Sequence, residues 1–333
     1  MKKVVIAIDS FKGCLSSAEA GKAAAEGIRS VFPECEILSL PIADGGEGML
    51  DVLIAATNGR EVQISAHNPL MEWHDTYYGI SEDGKTAFIE MASISGLPLV
   101  PPEKRNPMLT TSYGTGELIR DALERGCRNF IIGIGGSATN DAGLGMLQAL
   151  GFRFLDKEGK ILETGNGKIL MEVVSIDTSF VHPDLRTSHF TVACDVQNPF
   201  YGLEGAAYIF APQKGADRKM VEALDAGMKN FAEVIFHTTG KDISNHSGTG
   251  AAGGMGGSLL AFLNAKLKPG IQLMLETLDF SNKIKGVDLI ITGEGKADKQ
   301  TLMGKVPSGI LAEARQQDIP VILLAGKVED ADE

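Results

Sequence analysis

Two periodicities divide the chain. Residues 4–8 form a short continuous apolar run ending at Asp9, the pattern of a buried strand. Ser16 to Glu19 reads as a capping box, and Ala20, Ala23, Ala24, Gly27, Ile28 and Val31 follow at helical spacing until Pro33 closes the helix. A second run over 36–42 leads into Asp44-Gly45-Gly46-Glu47-Gly48 and another helix ending at Asn58-Gly59. This strand–helix–strand–helix opening predicts a doubly wound parallel sheet, in which ligands bind beyond the carboxyl ends of the strands. Asp9, Lys12, Asp44 and Glu47 are placed there by topology.

The pattern then changes. Residues 62–65, 75–80 and 85–91 read as short antiparallel strands, with a hairpin turn at 81–84. Further strands are predicted at 130–132 and 189–194, and a long helix after Ala216. Parallel-sheet character returns at 287–291 and 321–325, with a helix between them that Pro307 opens. Residues 1–65 with 285–333 are therefore predicted to form one α/β domain, interrupted by an inserted α/β domain at 66–284. No helix follows the last predicted strand, although a parallel sheet expects cover on both faces.

Residues 130–145, FIIGIGGSATNDAGLG, hold the most informative transition. An apolar strand runs into Gly133, Gly135 and Gly136, then into Ser137, Thr139, Asn140 and Asp141, and 142–150 has helical character. A glycine turn between a strand and a helix N-terminus suits an anion such as phosphate or carboxylate. The same residues fit a variant dinucleotide fingerprint, with Asp156 roughly 20 residues on as the ribose-binding acid. A plain glycine-rich turn is the third reading. A formal GxGxxG at 248–253 follows polar residues instead of an apolar strand, so its dinucleotide context fails.

Composition narrows the classes. Hydrophobic content of 44% over 333 residues suffices for roughly two cores. The net charge of −12 argues against nucleic acid and anionic membrane as principal partners. Cysteines at 14, 35, 127 and 194 have no metal or redox spacing and fit reduced thiols of a cytoplasmic protein. No stretch approaches the 18 apolar residues expected of a membrane span.

No HExxH, GxSxG or paired Cys/His set occurs. What recurs is Asp, Lys and Gly in loops at strand ends, and phosphoryl transfer asks for that inventory. The blocks 9–13 (DSFKG), 41–48 (PIADGGEG), 132–141 (IGIGGSATND), 193–199 (ACDVQNP), 211–216 (APQKGA), 250–256 (GAAGGMG) and 292–298 (TGEGKAD) occur in order over nearly the whole chain. Together they resemble the bacterial glycerate kinases of the glycerate 2-kinase type.

That resemblance implies ATP-dependent phosphorylation of D-glycerate to 2-phosphoglycerate, with Mg²⁺, in the cytoplasm. It implies a Rossmann-like domain with an inserted α/β domain and the active site in the cleft between them. The family pattern continues beyond the position of Glu333, so further residues completing the parallel-sheet domain are expected; a homodimer is compatible with the reading. Asp195 is the expected base for the glycerate hydroxyl, with Lys12 and Lys296 beside the transferring phosphate. Asp9, Ser10, Arg105, Asn198 and Glu294 are expected to bind substrate. Gly133, Gly135, Gly136, Ser137 and Asn140 are expected to bind the nucleotide phosphates, and Asp44, Glu47, Asp141 and Asp298 are the candidate Mg²⁺ partners. The competing functions are an NAD-dependent dehydrogenase of a small hydroxy acid and a non-catalytic metabolite-binding protein.

Overall fold

The structure, a computed structural model, describes residues 2–11, 14–46, 48–298, 301 and 304–329. The chain divides into two compact units, one of Met1–Ala56 with Pro269–Glu333, the other of Thr57–Lys268.

The first unit carries a four-stranded, wholly parallel sheet in the order Val321–Val328, Leu289–Ala297, Lys3–Ile8, Glu36–Ser39. Its strands are the apolar runs of the sequence. Val4, Ile6 and Ile8 pack with Ala20 and Ala25 of the helix Ser17–Val31 and with Ile291. That helix starts where the capping box predicts: the Ser16 side chain accepts from Glu19 N, and the Glu19 carboxylate accepts from Ser16 N at 2.8 Å. The strand Leu289–Ala297 continues through Gly293-Glu294-Gly295, expected as a loop, because it pairs with Val321–Val328 as far as Ala297↔Val328. Ile322, Leu323 and Leu324 of the neighbouring strand remain exposed.

The second unit carries a six-stranded sheet in the order Lys266–Lys268, His189–Ala193, Asn129–Gly133, Thr86–Glu90, Trp73–Ile80, Arg60–His67. The last three are joined antiparallel, the meander expected from the sequence, whereas Thr86–Glu90, Asn129–Gly133, His189–Ala193 and Lys266–Lys268 run parallel. Arg60–His67 pairs over its whole length with Trp73–Ile80 and so belongs to this unit. Gly270–Thr277 packs in the first unit, where a Cβ on Gly270 would lie 2.0 Å from the Asp44 carbonyl oxygen. The predicted boundaries at 65/66 and 284/285 thus shift to 56/57 and 268/269. The short strands Lys266–Lys268 and Ser175–Asp177, each three residues long, had no readable periodicity.

The core of the second unit is large and aromatic. Phe130 and Phe190, register partners on adjacent parallel strands, stack with centroids 4.6 Å apart. Phe231, on the helix Arg218–Thr239, is fully buried and meets Phe154 edge-on at 5.8 Å. Phe231→Ala should cost about 3–5 kcal/mol, the usual scale for deleting a buried aromatic ring. Urea unfolding followed by circular dichroism measures it; a midpoint equal to that of the unaltered chain would contradict this packing.

Candidate functional site

In the second unit the parallel register aligns four strand ends. Glu90 is the partner of Gly133, Gly133 of Ala193, and Lys268 of Ala193. With neighbouring strands ~4.8 Å apart, the row is about 14 Å wide. The loops that leave this edge carry the Gly133–Ser137 turn and Asp195. Asp195 lies exposed, two residues beyond its strand. Asn198 holds its own loop, donating its side-chain amide to the Glu204 carbonyl at 2.8 Å. Cys194 is a passenger here: burial pushes its thiol up to about 11, away from reactivity.

The turn after Gly133 is fastened from several sides. Gly96 and Ser137 form an isolated bridge, Leu97 N donates to the Gly136 carbonyl at 2.9 Å, and Ala138 N donates to the Ser95 carbonyl at 2.9 Å. Thr110 Oγ1 donates to the Ala138 carbonyl. Between these ties Gly135 and Gly136 are exposed, and among the described residues neither uses its N–H. A Cβ on Gly135 would meet nothing within 4 Å. The fold itself therefore does not demand glycine at that position; an approaching ligand would. Two adjacent exposed N–H groups on a fixed turn make a cradle for a phosphate or carboxylate oxygen.

The helix that follows does not supply the anion site expected of it. It spans only Leu144–Ala149, and its first turn is closed from inside by Asp141. The fully buried Asp141 carboxylate accepts from Ser112 N at 2.8 Å, Ser112 Oγ at 2.7 Å, Gly143 N at 3.1 Å and Gly145 N at 3.2 Å. Burial raises its pKa while those donors oppose the rise. Asp141 is thus a structural cap, and its oxygens are too fully engaged for the metal role expected of it. Asn140, expected at the phosphates, is also wholly buried: its amide nitrogen meets Met228 Sδ at 3.2 Å, and its Oδ1 has no partner.

Lys214, unassigned in the sequence, completes the turn. It is 2% exposed, and its Nζ donates to Ser137 Oγ at 3.1 Å and to the Thr139 carbonyl at 2.5 Å. Burial lowers its pKa to about 7, partly opposed by the charge of Asp141. Arg105 is adjacent: a Cβ on Gly215 would lie 2.4 Å from the Arg105 carbonyl oxygen, and Arg105 Nε donates to the Val100 carbonyl at 3.3 Å. Lys214 sits inside a quoted block but carries no local mark of burial beyond the small residues Ala211 and Ala216. Glu90 could have been found by the strand-end rule; Lys268 could not, because its strand is too short to read.

In the first unit, Asp9 and Ser10 follow the strand Lys3–Ile8, and Ser10 N donates to Asp9 Oδ1 at 2.7 Å. Thr292 and Glu294 share one face of the adjacent strand. Thr292 Oγ1 and Glu294 Oε1 are buried without partners, while Glu294 Oε2 stands 4.0 Å from Lys305 Nζ. Lys296 is ion-paired with Asp298 at 3.2 Å and Glu329 at 2.7 Å, and both carboxylates raise its pKa. Asp44 is partly exposed and accepts from Gly46 N at 3.1 Å. Lys12 and Glu47 lie outside the described residues.

Two rival chemistries can be tested against this geometry. A dinucleotide fingerprint needs its helix to start directly at the glycine turn; here Leu144 begins it eleven residues after Gly133. Asp156 is spent on its own hairpin, accepting from Glu158 N and Lys160 N at 2.9 Å each. Among the described residues no three His, Cys, Asp or Glu are grouped to hold a metal ion. No helix among the described residues is long and apolar enough to cross a membrane.

Comparison with known proteins gives a consistent picture. Residues 4–333 match the model of the glycerate kinase family. A glycerate kinase from Haemophilus influenzae is 51% identical over 97% of this chain and 85% of its own length. A glycerate 2-kinase from Escherichia coli K12 is 49% identical over 98% of this chain and 86% of its own. The crystal structure of a candidate glycerate kinase 2 from Salmonella typhimurium LT2 superposes with a TM-score of 0.93 at 45% identity, covering 98% of this chain and 90% of that one.

The internal cap yields a stability prediction. Asp141→Asn would turn an amide NH₂ toward backbone N–H donors and should destabilise the chain by about 2–4 kcal/mol. Chemical denaturation reads this out, and an unshifted midpoint would show that the carboxylate does not hold the helix start.

Proposed function

The chain belongs to the glycerate kinase family, and on that premise we propose that this kinase moves the γ-phosphoryl group of ATP to the 2-hydroxyl of D-glycerate, giving 2-phosphoglycerate. The observation that carries the reading is the fixed turn with the unused N–H groups of Gly135 and Gly136, beside the strand end that bears Asp195. Phosphoryl transfer asks the protein mainly for positioning and for donors aimed at phosphate oxygens. The name of the Escherichia coli relative supports the 2-phosphorylated product over its isomer.

In this reading the Gly133–Ser137 turn holds phosphate oxygens of ATP, and Arg105 holds the carboxylate of glycerate. Asp195, the exposed carboxylate beyond its strand, takes the hydroxyl proton as the acceptor oxygen attacks phosphorus and the bond to the departing ADP oxygen breaks. Charge on the transferred group is neutralised by Mg²⁺ when bound. Asp141, whose oxygens are taken up by four internal donors, does not fit that ion. Soluble metabolism of a small acid in the cytoplasm is the setting this chemistry suits.

Phosphorus NMR of the product formed from ATP and D-glycerate tests the regiochemistry. The expected outcome is 2-phosphoglycerate; 3-phosphoglycerate would overturn the assignment of the hydroxyl, and the absence of glycerate-dependent ADP would overturn the kinase. Asp195→Asn should lower kcat by about 10²–10⁴-fold, the usual scale of general-base catalysis. Full turnover in that variant, measured by coupled ADP release, would remove Asp195 from the proton transfer.

A further inference from the structure

Among the described residues no other lysine is buried as deeply as Lys214. An ammonium withdrawn from water is expensive, and a slot of that shape filled only for packing would hold Met or Leu at lower cost. Both hydrogen-bond partners of Lys214 lie in one place, Ser137 Oγ and the Thr139 carbonyl, directly after the exposed glycines. The other bonds of Ser137 Oγ stay within the turn: it accepts from Thr139 N at 3.1 Å and contacts the Thr139 carbonyl at 3.2 Å. Lys214 is itself seated by Gly215, whose φ of +96° and close approach to the Arg105 carbonyl exclude a side chain. The chain thus commits a left-handed glycine and a desolvated cation to one short loop.

We propose that Lys214 is the positioning residue of the phosphate turn: its ammonium, drawn between Ser137 Oγ and the Thr139 carbonyl, aims the Gly135 and Gly136 N–H groups and sets a positive charge behind the ATP phosphate oxygens. The inference rests on the reading above that this turn receives ATP. It gives Lys214 no contact with the reacting atoms; it acts through Ser137 and Thr139. Burial pulls the ammonium toward neutrality and the charge of Asp141 opposes that only in part, so an anion seated on the turn would favour the protonated form. A cation held this way is pre-organised and costs no reorganisation when the nucleotide arrives.

The test is a double-mutant cycle of Lys214→Met and Ser137→Ala, with ATP binding measured by calorimetry and both KM values by steady-state kinetics. Lys214→Met should weaken ATP binding by about 10- to 100-fold, the scale of a lost charge-assisted hydrogen bond, and raise the KM for ATP to match. The KM for glycerate should stay within about twofold, a split that general loosening of the fold would not produce. The double variant should lose little beyond Lys214→Met alone, because the two side chains share one contact. Unchanged ATP affinity in Lys214→Met overturns the proposal, as does an equal loss for both substrates. Should Lys214→Met fail to fold, Ser137→Ala decides: weaker ATP binding with an unmoved KM for glycerate supports the proposal, and unchanged binding overturns it. Gly135→Ala, whose Cβ meets open space, separates the premise from the inference. Loss of ATP affinity there with none in Lys214→Met sinks only the role of Lys214. No loss in either variant sinks the phosphate turn itself.

Discussion

The second unit is arranged around a carboxylate that never meets solvent. Burying Asp141 would cost several kcal/mol if it were left alone. Four donors from three points of the chain, Ser112, Gly143 and Gly145, converge on it and offset that cost. The convergence fixes where the helix Leu144–Ala149 begins relative to the helix Tyr113–Glu124. It also spends the helix N-terminus on the fold. A short helix whose first N–H groups are already satisfied has little left to offer a ligand. The exposed backbone N–H groups of this segment lie instead in the turn before the helix, at Gly135 and Gly136.

The buried lysine and the buried aspartate make that division of labour workable. Lys214 grips the turn and Asp141 grips the helix, and each lowers the electrostatic cost of the other. Parallel strand pairing does the rest. Because Glu90, Gly133, Ala193 and Lys268 are register partners, the loops leaving them emerge side by side without any further device. The first unit follows the same rule on its own sheet, where Asp9 follows the strand beside the one that carries Thr292 and Glu294. The unpartnered Glu294 Oε1 and Thr292 Oγ1 are costly to keep there unless something in their working state binds them.

Much of this was legible in the sequence because the signals were local. The apolar runs at 4–8, 130–132 and 189–194 became strands, and Ser16 and Glu19 capped the helix they announce. The glycine turn and Asp195 were singled out because ligands bind beyond strand ends in such sheets, and both do follow strands. What stayed hidden was long-range. Nothing local distinguishes Asp141, a saturated internal cap, from Asp44, a partly exposed loop acid; only the partner Ser112, 29 residues earlier, does. Lys214 looks like a surface lysine until the turn 75 residues upstream is folded against it. The loop expected at Gly293-Glu294-Gly295 became strand because its partner Val321–Val328 supplies the hydrogen bonds, and pairing outweighs the low strand preference of glycine.

Glycine-rich blocks are the feature most easily misread, and the geometry separates their causes. In the 248–253 segment, a Cβ on Gly250 would lie 2.2 Å from the Pro199 carbonyl oxygen, and one on Gly253 would lie 2.1 Å from that of Thr139. Those glycines exist so that one backbone can rest on another, and the dinucleotide-like spacing is incidental. Gly135 is the opposite case: nothing in the protein crowds it, so packing gives no reason for its missing side chain. An open Cβ position alone is not a ligand mark, since Gly27 on the helix Ser17–Val31 is equally uncrowded; what sets Gly135 apart is its place on a tied turn at a strand end. The same residue type is thus scaffold at Gly250 and Gly253, and at Gly135 it leaves the tip of the Gly133–Ser137 turn open.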